Sequence, residues 1–207
     1  MKNQQNLNKV NADIVGLVQL AEEIGWESIN EWSIQRIFYL CTVLYSFKRP
    51  LSQNPFMEQY KFAVDLRGPY SDIVSDSLLD LQSQYFIKKS IENSYTLLER
   101  DFSILNKLPD YVLRHEWISI VIFILGIYGE DKIYDFIFKD PEYVDTIKRQ
   151  SAKSIDTSSE NLSLSNLKMF KKIFEENLGQ QAESLKDKDY LEMYFEFVFS
   201  KILKGEE

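Results

Sequence analysis

The sequence predicts a mainly α fold with a small β-wing. Three observations carry that expectation. Seven glycines and five prolines among 207 residues are too little punctuation for a many-stranded sheet. Apolar residues recur at three-to-four spacing through most of the chain. Two short β-like stretches near the middle are bounded by turn residues. With 44% apolar and 14% aromatic residues, a core forms without a disulfide or metal staple.

The elements follow in order. Asn11 to Ile24 reads as a helix, with Ile14, Val15, Val18 and Ala21 on one side and Gly25 as its stop. Glu31 to Phe47 is a second, ended by Lys48-Arg49-Pro50. Its main stripe is Ile34, Ile37, Phe38, Cys41, Leu44 and Tyr45. Leu40 and Val43 add a second apolar side, which marks it as central. Phe62, Val64 and Leu66 alternate with Lys61, Ala63 and Asp65 as a half-buried strand, and Gly68-Pro69 breaks the chain. Ser71 is placed to cap a third helix that runs to about Gln84, with a core stripe of Val74, Leu78, Leu81 and Tyr85. Phe86-Ile87-Lys88-Lys89 and Tyr95-Thr96-Leu97-Leu98 then pair across a polar turn containing Asn93. Helix, helix, strand, helix, hairpin is the layout of a winged helix.

The second half is a helical C-terminal extension. His115 to Tyr128 reads as a buried helix. Its most apolar part, Trp117 to Tyr128, falls short of the ~20 residues that span a bilayer. Asp131 to Phe138 turns Ile133, Phe136 and Ile137 inward. Asp140-Pro141 restarts the chain, with Tyr143, Val144 and Ile147 on one side. Ser151 to Ser163, rich in Ser, Asp and Asn, reads as a mobile loop. Leu164 to Leu178 carries Leu167, Phe170 and Phe174. Lys188 to Leu203 carries Tyr190, Leu191, Tyr194, Phe195, Val198 and Ile202. The expected division is a winged-helix-like module over 1–108 and a helical extension over 109–207.

Composition narrows the function classes. Net charge is −8, whereas duplex-DNA affinity comes largely from neutralising phosphates. DNA contact would have to be local, weak or shared with a basic partner. The polar start, Met1 to Val10, lacks the apolar run of a signal peptide. Cys41, the only cysteine, sits among Leu40, Thr42 and Val43 as a small core hydrophobe. The absence of disulfides fits a reducing compartment, so a cytoplasmic protein without a membrane span is expected.

Chemistry-bearing residues are sparse. His115 is the only histidine, and no cysteine cluster replaces the missing metal ligands. Neither a phosphate-cradling glycine loop nor a G-x-S-x-G elbow is present. The acidic pair Glu130-Asp131 and the group Asp140, Glu142 and Asp145 could hold magnesium, but Asp140-Pro141-Glu142 also reads as an ordinary capped helix start. No catalytic residue, cofactor or metal is expected.

Surface candidates remain. Asp72, Asp76 and Asp80 fall at i, i+4, i+8, roughly opposite the core stripe of the third helix. This ladder is a solvated face or a surface for a basic protein partner. Arg67, Lys88, Lys89 and Arg100 near the strand ends form a small basic group that can touch phosphate without reading bases. Tyr190, Tyr194, Phe195, Phe197 and Phe199 cover more than one face of the last helix. Core uses some of them, and Tyr194, Phe197 and Phe199 are candidates for a partner contact.

Tyr60-Lys61-Phe62, Arg67-Gly68-Pro69-Tyr70-Ser71, Leu78 with Leu81, Tyr85-Phe86-Ile87 and Tyr95-Thr96-Leu97 together resemble the signature of a group of bacterial winged-helix proteins. That group includes the SocA-like (Panacea) antitoxins and the middle components of ABC-three-component defence systems, of which Lamassu-type anti-phage operons are an example. The resemblance covers about 40 of the 207 residues. Two positions depart from the pattern: the usual glycine before the wing is Tyr85 or Phe86, and Glu99-Arg100 replaces the glycine after the last strand. Ile127-Tyr128-Gly129-Glu130-Asp131-Lys132 and Phe138-Lys139-Asp140-Pro141-Glu142-Tyr143 are similar to the helical extension of the Lamassu-like branch. The resemblance implies a non-enzymatic subunit of a hetero-oligomer. It would lie between an SMC-like ATPase and an effector, often a nuclease, restrained until foreign DNA ends engage the ATPase. An antitoxin-like binder of one toxin and a winged-helix transcriptional regulator are the alternatives.

Overall fold

A computed structural model describes residues 2–50, 52–98, 105, 108–149 and 154–204, with side chains from residue 5 onward. The fold is mainly α with a small β-wing, as the sequence predicts.

Helix α1 spans Lys2–Glu23 and begins earlier than its apolar stripe. It ends as expected: Gly25 takes φ +89°, and the amides of Gly25 and Trp26 return to Glu22 (3.0 Å) and Ala21 (2.9 Å). Strand β1 (Ile29–Asn30) follows. Two residues are too few to show alternation, and the sequence reading missed it. The Asn30 side chain then caps α2 (Glu31–Lys48) by accepting from Trp32 N at 2.9 Å.

Helix α2 is the hub, with every residue from Ser33 to Phe47 buried. Three consecutive carbonyls on it, Cys41, Thr42 and Val43, accept from Trp117 Nε1 (2.8 Å), Asn54 Nδ2 (2.8 Å) and Asn161 Nδ2 (2.9 Å). Side chains from three distant segments are thereby registered on one helix.

The 61–66 region departs from expectation. Strand β2 (Ala63–Asp65) pairs with β3 (Gly68–Tyr70), so Gly68-Pro69 forms a strand rather than a break. Leu66 is exposed at the hairpin turn instead of half-buried. Gly68 takes φ +131°, and a Cβ there would come within 3.3 Å of Arg36 Nε. Arg36 Nη2 donates to the Arg67 carbonyl at 2.6 Å. The buried Gln35 side chain pairs with both backbone groups of Ser71, at 2.9 and 3.2 Å. Polar groups on the hub therefore clamp this hairpin.

Ser71 is the N-cap residue of α3 (Asp72–Ser83) by position, but its hydroxyl makes no cap bond. Val74, Leu78 and Leu81 are buried as expected; Tyr85 is not, being 70% exposed. It occupies the left-handed region (φ +58°) at the helix end, where the amides of Tyr85 and Phe86 return to Gln82 and Leu81. The backbone thus turns there as a glycine would, although the residue is tyrosine. Strands β4 (Ile87–Lys89) and β5 (Ser94–Leu97) form the expected hairpin, with Asn93 at φ +57° in its turn, and β1 joins to give the order β1-β5-β4.

Five helices follow: α4 (Tyr111–Gly126), α5 (Glu130–Ile137), α6 (Pro141–Lys148), α7 (Leu162–Leu178) and α8 (Asp187–Lys204), with a 3-10 turn at Gly179–Ser184. Ile133, Phe136 and Ile137 are buried as predicted. On α6 the buried face is Glu142, Tyr143 and Thr146, whereas Ile147 is exposed. Residues 151–153 lie outside the described residues. The remainder of the expected mobile loop is fixed: Ser154 bridges to Ala63, the Ile155 amide donates to Phe62 at 2.9 Å, and Asn161 caps α7 through Leu164 N. Side-chain caps and a strand bridge supply what composition alone reads as loop. One hydrophobic cluster runs from α1 and α2 through α4, α5, α7 and α8. No single described helix is long and apolar enough to cross a membrane.

Candidate partner-binding surfaces

Cys41 and Asp13 are buried, and His115 is half-buried. The Cys41 thiol is wholly buried in the shared core, and burial pushes it well above its ordinary value. His115 is half-buried against the Tyr111 ring (5.5 Å), and burial lowers its proton affinity. Asp13 on α1 meets Arg114 on α4, whose Nε reaches both carboxylate oxygens at 2.9 and 3.1 Å. The Tyr60 hydroxyl is a second donor, at 2.9 Å. Burial still outweighs these partners and raises the carboxyl to about 6.

Of the acidic positions considered for magnesium, Asp131 is exposed on α5 and the others are committed elsewhere. Asp140 caps α6 through Tyr143 N (3.0 Å) and accepts from the hydroxyls of Tyr39 and Ser163, both at 2.5 Å. Glu142 is buried and accepts from Leu162 N at 2.9 Å. Asp145 pairs with Arg149 one turn on, and Glu130 accepts from Asn30 N. Among the described residues, no three potential metal ligands cluster.

The aspartate ladder is shorter than its spacing suggests. Asp72 and Asp76 are exposed. Asp80 is half-buried and accepts from Asn11 Nδ2 (2.6 Å) and Gln84 Nε2 (2.7 Å), because α1 packs beside α3. The outward stripe instead continues through Leu79, 63% exposed, toward Tyr85. Leu79, Tyr85, Ile87, Lys88 and Leu98 line an open groove of about 620 Å³ between α3 and the wing.

The basic residues have separate roles. Arg67 sits on the β2–β3 turn with its guanidinium over the Trp32 ring, 5.6 Å from the centroid. Lys89 lies 3.7 Å from Glu31 and over the Tyr95 ring. Lys88 is exposed on β4. Arg100 lies outside the described residues.

The last helix divides its aromatics. Phe199 is buried, stacked on Tyr128 at 3.9 Å and close to Phe136, so it belongs to the core rather than to a contact surface. Tyr194 is only 7% exposed and forms a floor. Phe197 is 44% exposed and faces Phe170 of α7 at 5.6 Å. Met169 and Ile173 flank it, and Pro141, Val198 and Ile202 complete an apolar groove of about 450 Å³ between α7 and α8. Met169 and Ile173 were not singled out from the sequence. Their i, i+4 spacing beside the stripe of Leu167, Phe170 and Phe174 is the signal, since α7 carries more apolar positions than one stripe needs.

Comparison with known proteins leaves the chain without a match: no family model, no curated protein and no solved structure matches it.

Proposed function

We propose that this chain is a non-catalytic bridging subunit that holds two protein partners, one on the α3–wing face and one on the α7–α8 face. The observation that carries the proposal is the placement of exposed apolar side chains. Among others scattered over the surface, two groups stand on different elements and line grooves: Leu79 and Tyr85 beside Asp72 and Asp76, and Met169, Ile173 and Phe197 on the C-terminal helices. Contiguous exposed apolar surface has a free-energy cost that partner contact relieves. Two such faces suit a bridge better than a single-partner binder.

The resemblance to middle components of Lamassu-like systems supplies the kind of assembly. The partners would be an SMC-like ATPase and an effector, often a nuclease, held inactive in the cytoplasm until foreign DNA is sensed. An acidic, leucine-bearing α3 face favours a basic protein over phosphate, in keeping with a DNA contact that is indirect.

Affinity purification of the tagged chain from its native host, followed by mass spectrometry, tests the proposal. Two different proteins are expected. Asp72→Lys with Asp76→Lys should release one, and Phe197→Glu the other. A clean monomer, or one partner kept by both variants, would sink the bridging role.

A further inference from the structure

The α7–α8 groove has a chemistry that narrows its occupant. It lies where α7 meets α8: Lys171 pairs with Asp187, and Phe170 beside it reaches Tyr194 and Phe197. Apart from Asn166 its lining is apolar or aromatic, and among the described residues the charged ones that line it are Lys139 and Lys201. Both lysines are exposed, and neither makes an ion pair among the described residues. The Lys201 ammonium lies 4.5 Å over the Phe197 ring, at the edge of the apolar surface. In a chain of net charge −8, a groove whose charged lining among the described residues is two lysines is a local inversion.

From this we infer that the groove takes an amphipathic helix of a partner protein, with apolar anchors on one side and carboxylates beside them. The helical walls of α7 and α8 suit a third helix by ordinary ridge-and-groove packing, and the lining includes no strand edge for an extended peptide to join. Carboxylates beside the anchors meet Lys139 and Lys201, which sets register and rejects basic helices. A second copy of this chain fits less well, since its matching rim would bring lysines against lysines. The inference deepens the proposed bridging role by stating what one partner presents.

The test is a phage-displayed library of 18-residue helices with leucine fixed at i, i+4, i+7 and i+11 and the flanking positions randomised, panned against the full chain. Enriched sequences are expected to carry Asp or Glu beside the leucines. The best peptide should bind at least tenfold more weakly to Phe197→Glu and to the separate Met169→Glu variant. Lys139→Glu combined with Lys201→Glu, which leaves the apolar lining in place, should reverse the charge preference. Circular dichroism confirms that each variant is folded. No enrichment, enrichment without acidic flanks, or binding unchanged in both apolar variants would overturn the inference. So would a dimer of the free chain that Phe197→Glu dissociates. Loss of this inference with two partners still recovered from the host would leave the bridging role standing; acidic enrichment without any recovered partner would do the reverse.

Discussion

Asp13 and Asp140 are both fully buried, and each joins the first half of the chain to the second, yet they are met by different donors. Asp13 on α1 faces the guanidinium of Arg114 on α4, with Tyr60 assisting. Asp140 at the start of α6 faces no cation; it is held by the Tyr39 hydroxyl from α2, the Ser163 hydroxyl from α7 and the Tyr143 amide. The difference separates two ways of closing a seam. A hydroxyl can turn to donate or accept and is neutral, so losing one leaves the site locally repairable. A guanidinium only donates and stays charged, so the ion pair is an all-or-none device: intact it is tolerated, and halved it strands a charge in the core. Each carboxylate accepts three hydrogen bonds from interior partners.

Removing one donor at each site puts the contrast to its hardest test. Arg114→Met should cost about 3–5 kcal/mol in urea unfolding at pH 8, because it leaves the Asp13 carboxylate buried without its cation. The deficit should shrink at pH 5, where the stranded carboxyl takes up a proton. An equal deficit at both values would show that packing, not charge, holds the first seam.

A second measurement follows from Asp13 in the intact protein. Its folded-state value of about 6 lies above that of an unfolded aspartate. The group therefore contributes stability that is full below about pH 4 and gone above about pH 6, a change of about 3 kcal/mol. Carboxyl 13C shifts should show Asp13 titrating near 6. A midpoint in the ordinary aspartate range would mean that Arg114 dominates burial.

The smallest effect belongs to the hydroxyl-lined site. Tyr39→Phe should cost about 2 kcal/mol, the worth of one hydrogen bond to a charged acceptor. Asp140 keeps Ser163 and the Tyr143 amide. Unfolding in urea at pH 7 checks this, and a loss equal to that of Arg114→Met would erase the distinction between the seams.

How much of this was legible in the sequence varies with range. The caps at Asp140 and Gly25, the stripes of α2 and α5, and the Ile87–Leu97 hairpin all follow from residues within a few positions of one another. Strand β1 was invisible because its two residues are ordered by β5, more than sixty positions away. The Asp140–Glu142 group was ambiguous for the same reason: Tyr39, Ser163 and Leu162 decide its role from elsewhere in the chain. On the candidate surfaces, the aspartate spacing was right, but α1 removed Asp80 from the outward face through Asn11. On α8 the surplus of aromatics was plain, yet nothing local distinguished Phe197, which faces the groove, from Phe199, which Tyr128 and Phe136 cover.

By itself the sequence determined the helical class, the hairpin wing, a single histidine and a single cysteine, and the acidic charge. Composition, period and capping are properties of neighbouring residues, and helices and hairpins form on that scale. Tertiary structure alone decided which aromatics became core and which became surface, which carboxylates were spent on seams, and that two lysines would rim an apolar groove. Those outcomes depend on which distant segment packs where, and burial, not residue type, sets what a side chain can then bind.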